Sequence, residues 1–321
     1  MLNIVISALI SFAVTAAAGP FIIPLLRRLK FGQSIKDIGP AWHKNKNGTP
    51  TMGGLMFIAG AIVAVGVTAF SWASQKDFRV IATVTACLIF GLIGFVDDFI
   101  KVVKKRNLGL TALQKLILQV LTATAYIVYL ASNGYISTKL QIPFFENGIE
   151  LSWFYYIISV IVIVFVVNAV NLTDGVDGLA ASVTLAPMVC FCAIALDMNA
   201  VGISSAAAAV LGGCAGFLIY NFNPAKVFMG DTGSLFLGGA VALVPFALNK
   251  PLLVIIVAIV FICEALSVVI QVLVFKLTKK RVFKMSPIHH HFEMCGWKET
   301  KIVYVFTAIS CVFAVIGYIL F

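Results

Sequence analysis

Long apolar runs and short polar segments alternate along the whole chain. About 20 consecutive apolar residues let a helix cross the hydrocarbon of a bilayer. Ten runs approach that length: Leu2–Leu26, Gly53–Trp72, Val80–Val96, Thr111–Ala131, Trp153–Val170, Leu179–Leu196, Val201–Tyr220, Ser234–Leu248, Leu252–Phe275 and Ile302–Phe321. The pattern predicts an all-α polytopic membrane protein, a single ten-helix domain over residues 1–321. The connections then fall on two sides. Segments 27–52, 97–110, 171–178, 221–233 and 276–301 share one side. Segments 73–79, 132–152, 197–200 and 249–251 share the other with both termini.

Basic residues tell the two sides apart. The second side carries Lys76, Arg79, Lys139 and Lys250, four of the 23 Lys and Arg, while the other 19 lie in or beside the first set of segments. Positive charge is retained in the cytoplasm. The first set is therefore expected to be cytoplasmic, with both termini extracellular. In the outer segment 132–152, Asn147-Gly148 between apolar residues reads as the turn of a short external β-hairpin.

Composition supports the membrane reading. The chain is 61% hydrophobic and 11% charged, against roughly 25% charged in soluble domains, and its mean hydropathy is +1.05. The formal charge of +10 follows from the same cytoplasmic bias, and nucleic acid is not an expected partner. Met1 to Ile10 carries no basic residue and opens a run long enough to span, so a cleaved leader is not expected. Seven cysteines are present. Six lie in apolar runs and none forms a Cys-x-x-Cys pair, so neither a disulfide framework nor a zinc site is expected.

The unusual polar residues all gather on the cytoplasmic side. Asp97-Asp98 stands where an apolar run is about to leave the bilayer. Ionised groups at that depth are costly and mark sites, and adjacent carboxylates repel unless a cation or a shared proton relieves them. If the helix continues, Lys101 shares their face. The plain alternative is a charge cluster that anchors a helix end in water. Segment 27–52 holds Lys46 and Gly48-Thr49-Pro50-Thr51-Met52-Gly53-Gly54, which reads as a backbone nest for phosphate or as a basic interfacial loop. Lys115 sits one turn into an apolar run. Asn171, Asp174 and Asp177 are spaced by three, within reach of one helical turn, and two Asp-Gly steps allow tight turning. Carboxylates without His or Cys nearby suit hard cations such as Mg²⁺.

Two further cytoplasmic segments add to this set. Gly230, Gly233, Thr232 and Ser234 read as a phosphate cradle opening a helix, beside Asp231. Phe228 can stack on a base or pack against its neighbours. Ser286-Pro287-Ile288-His289-His290-His291-Phe292-Glu293 brings three of the four histidines together, fit to bind metal, move a proton or contact phosphate. Glu264 lies mid-run, facing either a cavity or a neighbouring helix. Acids for Mg²⁺, glycine turns for phosphates and lysines for charge are the parts of phosphoryl transfer. Their position at the inner face points to one nucleotide and one lipid substrate. A transporter would instead spread polar residues through the bilayer midplane.

Gly48 to Gly54, Asp97-Asp98-Phe99-Ile100-Lys101, Asn171 to Gly178, Phe228 to Ser234 and Pro287 to Glu293 together resemble the phospho-N-acetylmuramoyl-pentapeptide transferase family. That family lies within the wider polyprenyl-phosphate N-acetylhexosamine-1-phosphate transferases. The five motifs run from the first cytoplasmic loop to the last. The Pro-x-His-His-His-x-Glu and Thr-Pro-Thr-Met-Gly-Gly forms favour it over the GlcNAc-1-phosphate transferases, the alternative within the wider group. Val176 stands where a Leu is common.

The resemblance implies transfer of phospho-MurNAc-pentapeptide from UDP-MurNAc-pentapeptide to undecaprenyl phosphate, giving lipid I and UMP, with Mg²⁺, at the bacterial plasma membrane. It implies Asp231 as the Mg²⁺ ligand with Asp98 close by, and Asp97 as base or orienter of the lipid phosphate. Asn171 and Asp174 would line the diphosphate and metal region. Gly175, Val176, Asp177 and Phe228 would form the uridine pocket. His289 and His290 would contact the sugar-phosphate, and Lys46, Lys101 and Lys115 would supply positive charge. Thr51, Ser286 and His291 belong to the same substrate-facing set. A homodimer is a further expectation from the resemblance.

Overall fold

The computed structural model describes residues 1–29, 48–73, 77–104 and 108–321, with backbone alone for 70–73 and 146–147. Twelve helices and one hairpin follow in order among them: α1 (Leu2–Arg28), α2 (Gly54–Ala73), α3 (Arg79–Val103), α4 (Ala112–Ser132), β1 (Lys139–Ile142), β2 (Phe145–Glu150), α5 (Phe154–Thr173), α6 (Leu179–Asp197), α7 (Val201–Asn221), α8 (Gly230–Ala247), α9 (Leu252–Val257), α10 (Ile259–Thr278), α11 (Ile288–Met294) and α12 (Glu299–Leu320). Among the described residues nine helices are long and apolar enough to cross a membrane, and α2 adds a shorter apolar stretch, Gly54–Ala69. The expected run Leu252–Phe275 is broken at Ala258 into α9 and α10.

Helix α8 is the centre of the bundle. Every residue from Thr232 to Ala247 is buried, and the helix packs against α3, α5 and α2. Such an all-round apolar helix is stable only inside other helices. Its opposite number α7 packs on α1, α2 and α6 through Ala206 to Ala209, Gly212, Gly213 and Gly216. Small residues of this kind let helix backbones approach where lipid is as apolar as the side chains. Phe57 joins the two halves, 5.2 Å from the Phe217 ring and 6.1 Å from that of Phe236. The outer helices turn Leu9, Phe21, Leu92, Leu121, Val272 and Ile319 outward. Such a surface suits lipid and would be a liability in water.

Four of the differences from the sequence pattern matter most, and three of them decide the chemistry. Helix α3 continues past Val96 to Val103, so Asp97 and Asp98 lie on a helix and not in a loop. No breaker follows them, and Lys101 pairs back with both across one turn. Helix α5 runs past Val170 and carries Asn171 on its last turn. Helix α8 starts at Gly230, placing Asp231 in its first turn. The fourth is the outer hairpin, which turns at Pro143-Phe144, with Ile142 opposite Phe145. Proline presets the second turn position and Phe144 takes a positive φ of 69° in the third. Asn147-Gly148 lies within β2 instead, and Gly148 (φ 54°) sits opposite the register shift between Leu140 and Ile142.

Candidate active site

The site forms where α3, α4, α5 and α8 end together. Helix α4 begins at a capping box. The Thr111 hydroxyl accepts the Gln114 N–H, and the Gln114 side chain accepts the Thr111 N–H. That start fixes Lys115 in the first turn. Helix α8 has no side-chain cap of its own. Its first turn is capped from α3: the Thr232 N–H and hydroxyl both donate to Asp98 Oδ2, at 2.9 and 2.8 Å. An anion is favoured at a helix N-terminus, so Asp98 both stabilises α8 and fixes the neighbouring Asp231. The close approach depends on Gly94, since a Cβ there would lie 2.0 Å from the Asp231 carbonyl oxygen.

Asp231 is the hub. Its Oδ1 accepts from Asn171 Nδ2 at 2.9 Å, and its Oδ2 accepts from Lys101 Nζ at 2.9 Å and Lys115 Nζ at 3.1 Å. Lys101 also reaches Asp97 Oδ2 at 2.6 Å and Asp98 Oδ1 at 3.7 Å. Asp97 Oδ1 accepts the Leu110 N–H at 2.7 Å and so ties down the start of α4. Asp97 and Asp98 are nearly closed off, with 5% and 4% of their side chains exposed, against 21% for Asp231 and 33% for Lys101. Of the three acids, Asp231 is the one open to a ligand. Asn171 also donates to Ser234 Oγ, and the amides of Gln119 and Asn168 pair one turn deeper, which holds α4 and α5 in register.

The donor set suits a hard cation. Carboxylate oxygens of Asp97, Asp98 and Asp231 come within 4.8 Å of one another, all are oxygen donors, and an exposed edge remains at Asp231. Mg²⁺ favours such carboxylate sets and keeps much of its water. Asp174 caps α5 beside this cluster. Burial, reinforced by the charges of Asp231, Asp98 and Asp177, holds its carboxyl well above the usual carboxylate range.

Other expected site residues diverge from the cluster. Asn171 and Asp177 are not presented together, because α5 ends at Thr173. Asp177 Oδ2 instead accepts from Asn223 Nδ2 and the Ala225 N–H. It thereby ties the turn after α5 to the segment before α8. The hydroxyls expected to cradle phosphate bond within the protein, Thr232 to Asp98 and Ser234 to the Gly230 carbonyl. Thr51 and Val176 are buried; Phe228 and Ser286 are half-buried and Gly175 is exposed. Phe228 is pinned by its backbone, its N–H donating to the Pro50 carbonyl while its own carbonyl accepts from Gly53. Lys46 lies outside the described residues.

The three histidines of α11 have different polar partners, and the rings of His289 and His290 meet edge-on at 4.2 Å. His289 is fully buried against Glu264 of α10, with Nδ1 3.0 Å from Oε2. His290 pairs with Glu293 on its own helix. His291 accepts the Lys284 N–H and packs edge-on against Phe283. Glu264 and Gln119 are two of the buried polar residues that sequence reasoning did not assign to the site. Glu264 carried a signal in its mid-span position, whereas Gln119 carried none.

Comparison with known proteins defines the class first. The profile of glycosyl transferase family 4 matches residues 80–249, and a phospho-N-acetylmuramoyl-pentapeptide-transferase signature matches residues 46–58. Proteins named phospho-N-acetylmuramoyl-pentapeptide-transferase are similar over nearly the whole chain. That of Acetivibrio thermocellus is 48% identical over 97% of this chain and 93% of its own length. That of Caldanaerobacter subterraneus is 46% identical over 97% and 96%, and that of Bacillus mycoides 45% over 98% and 97%. The chain belongs to the phospho-N-acetylmuramoyl-pentapeptide-transferase family.

Proposed function

We propose that this chain transfers phospho-MurNAc-pentapeptide from UDP-MurNAc-pentapeptide to undecaprenyl phosphate, giving lipid I and UMP in peptidoglycan synthesis. The observation that carries this reading is the convergence of Asp97, Asp98, Asp231, Lys101, Lys115 and Asn171 at one end of the bundle. It occurs in a chain whose relatives bear the name of that reaction. The loop charges support ten crossings of the bacterial plasma membrane, α2 being the tenth, with the site in the cytoplasm and both termini outside. Both substrates can meet there, the nucleotide from water and the carrier phosphate from the lipid headgroup layer.

In this reading a lipid phosphate oxygen attacks the β-phosphorus of the UDP-sugar, and the bridging oxygen leaves with UMP. A phosphate monoester is largely dianionic near neutral pH, with a second pKa of about 6, so it needs orientation and charge neutralisation more than a strong base. Lys101 and Lys115 supply positive charge on two sides of Asp231. Asp97 holds Lys101 and the start of α4 in place. Asp231, with Asp98 behind it, would hold Mg²⁺, which when bound offsets diphosphate charge. Gly175, Val176, Asp177 and Phe228 would surround the uridine.

A two-step route through an aspartyl-phosphate is the rival. It is disfavoured by the carboxylates' engagement: both oxygens of Asp97 and of Asp231, and Oδ2 of Asp98, already accept hydrogen bonds. UMP release should require UDP-MurNAc-pentapeptide and undecaprenyl phosphate together. Release with UDP-GlcNAc instead would assign the chain to the GlcNAc-1-phosphate transferases. A phosphorylated enzyme trapped with nucleotide alone would establish the two-step route.

A further inference from the structure

Glu264 is a carboxylic acid with no exposed surface, in the second turn of the membrane helix α10, and the reaction above gives it no part. Its Oε2 faces two groups of one residue, His289 Nδ1 at 3.0 Å and the His289 backbone N–H at 3.4 Å. The Ser267 hydroxyl donates to its carbonyl at 2.6 Å, bracing that turn of α10. A carboxyl this deep costs several kcal/mol unless it is paired. The partner it has is the imidazole of His289, itself fully buried.

The other side of the ring is equally constrained. A Cβ on Gly175 would lie 2.3 Å from His289 Nε2, so the ring edge touches the backbone of the turn that follows Asp174. That nitrogen is buried and has no hydrogen-bond partner among the described residues. The ring is thus held at Nδ1 by α10 while Nε2 is presented to the turn that carries Asp174, Gly175 and Val176. His291, on the same helix, accepts the Lys284 N–H of the preceding loop, and His290 pairs with Glu293 of α11.

We propose that Glu264 is a positioning residue. It fixes the tautomer and orientation of His289, so that Nε2 is reserved for a polar group of the nucleotide-sugar arriving at the Gly175 edge. The logic is that of a carboxylate which orients an imidazole through one ring nitrogen so that the other serves a ligand. The proposal rests on the transferase reading for its ligand but not for its geometry.

Two measurements test it. Histidine-selective ¹⁵N spectra of the full-length protein in detergent, assigned with His289→Ala, should show a single tautomer for His289, protonated at Nδ1. Glu264→Leu, which fills the same buried space without an oxygen, should convert that signal to a mixture. A His289 signal unchanged in Glu264→Leu overturns the proposal whatever the enzyme's substrate. In UMP release, Glu264→Leu should lower kcat about 10–100-fold, and Glu264→Gln, which keeps an oxygen acceptor, should restore turnover. The Glu264→Leu/His289→Ala pair should lose no more than His289→Ala alone. Losses that multiply in the double variant would show that Glu264 acts independently of His289, and the proposal would fall. If the wild type releases no UMP, the reaction assigned above falls, while the ring spectra still decide the role of Glu264.

Discussion

The aspartate hub and the histidine helix are built on opposite principles. At the hub, residues far apart in sequence converge: α3, α4 and α5 each send a side chain to a single carboxylate, Asp231 of α8. On α11 three consecutive histidines find different polar partners, since neighbours on a helix are turned about 100° apart, although the rings of His289 and His290 touch edge-on at 4.2 Å. One faces α10, one its own helix and one its own loop. Adjacency in sequence is therefore poor evidence for a shared site on a helix. Adjacency also misleads within the hub. Asp97 and Asp98 both touch Lys101, yet Asp97 anchors the start of α4 and Asp98 caps α8.

The contrast can be broken or sharpened by substitution. The largest effect is expected at the point of convergence. Asp231→Asn should lower UMP release by about 10³-fold or more and abolish the response to Mg²⁺ titration. If Asp97→Asn abolished that response and Asp231→Asn left it intact, the hub would be wrongly centred. Lys115→Met leaves the fold's apolar contacts in place but removes one of two cations at Asp231. A fall of about 10²-fold in kcat is expected.

Asp174 tests the electrostatics of the rim. Its native carboxyl binds a proton more tightly than the unfolded chain does. The stability it contributes is therefore full at low pH and is lost as pH rises from the ordinary carboxylate range of about 4 through the raised native value. Asp174→Asn should raise the thermal midpoint, by more at pH 8 than at pH 5, in melts without Mg²⁺, while it lowers turnover. Equal shifts at both pH values would remove Asp174 from the charged rim. The smallest effect is expected at His291, whose ring nitrogens meet Lys284 and Cys295. His291→Ala should change kcat by less than about twofold, the usual range for such surface changes. A loss as large as that of Lys115→Met would mean that the histidine helix acts as one unit, and the contrast drawn above would fail.

Much of this was legible in the sequence, and the reasons are specific. The apolar runs required membrane helices because backbone polar groups in lipid must be satisfied internally. Asp97, Asp98, Asp231 and Asp174 stood out because acids at the end of an apolar run are costly, and all of them lie at or beside the hub with Asn171. The hairpin was legible but its turn was not. Asn147-Gly148 is the stronger local signal, yet Pro143-Phe144 prevails because strand pairing sets the register. Asp177 was grouped with Asn171 on spacing alone. That spacing holds only on a continuing helix, and α5 stops at Thr173.

By itself the sequence determined where the long apolar runs lie, the segments in which charge collects, and the residue types from which the site is made. These follow from transfer energies and local periodicity, which act on each segment separately. The tertiary structure alone decided which carboxylate is the hub and that Asp98 caps a helix from another segment. It also decided that Glu264 meets His289. Each is a contact between different helices, set by how closely the chain is approached at positions such as Gly94 and Gly175. No local pattern encodes that distance.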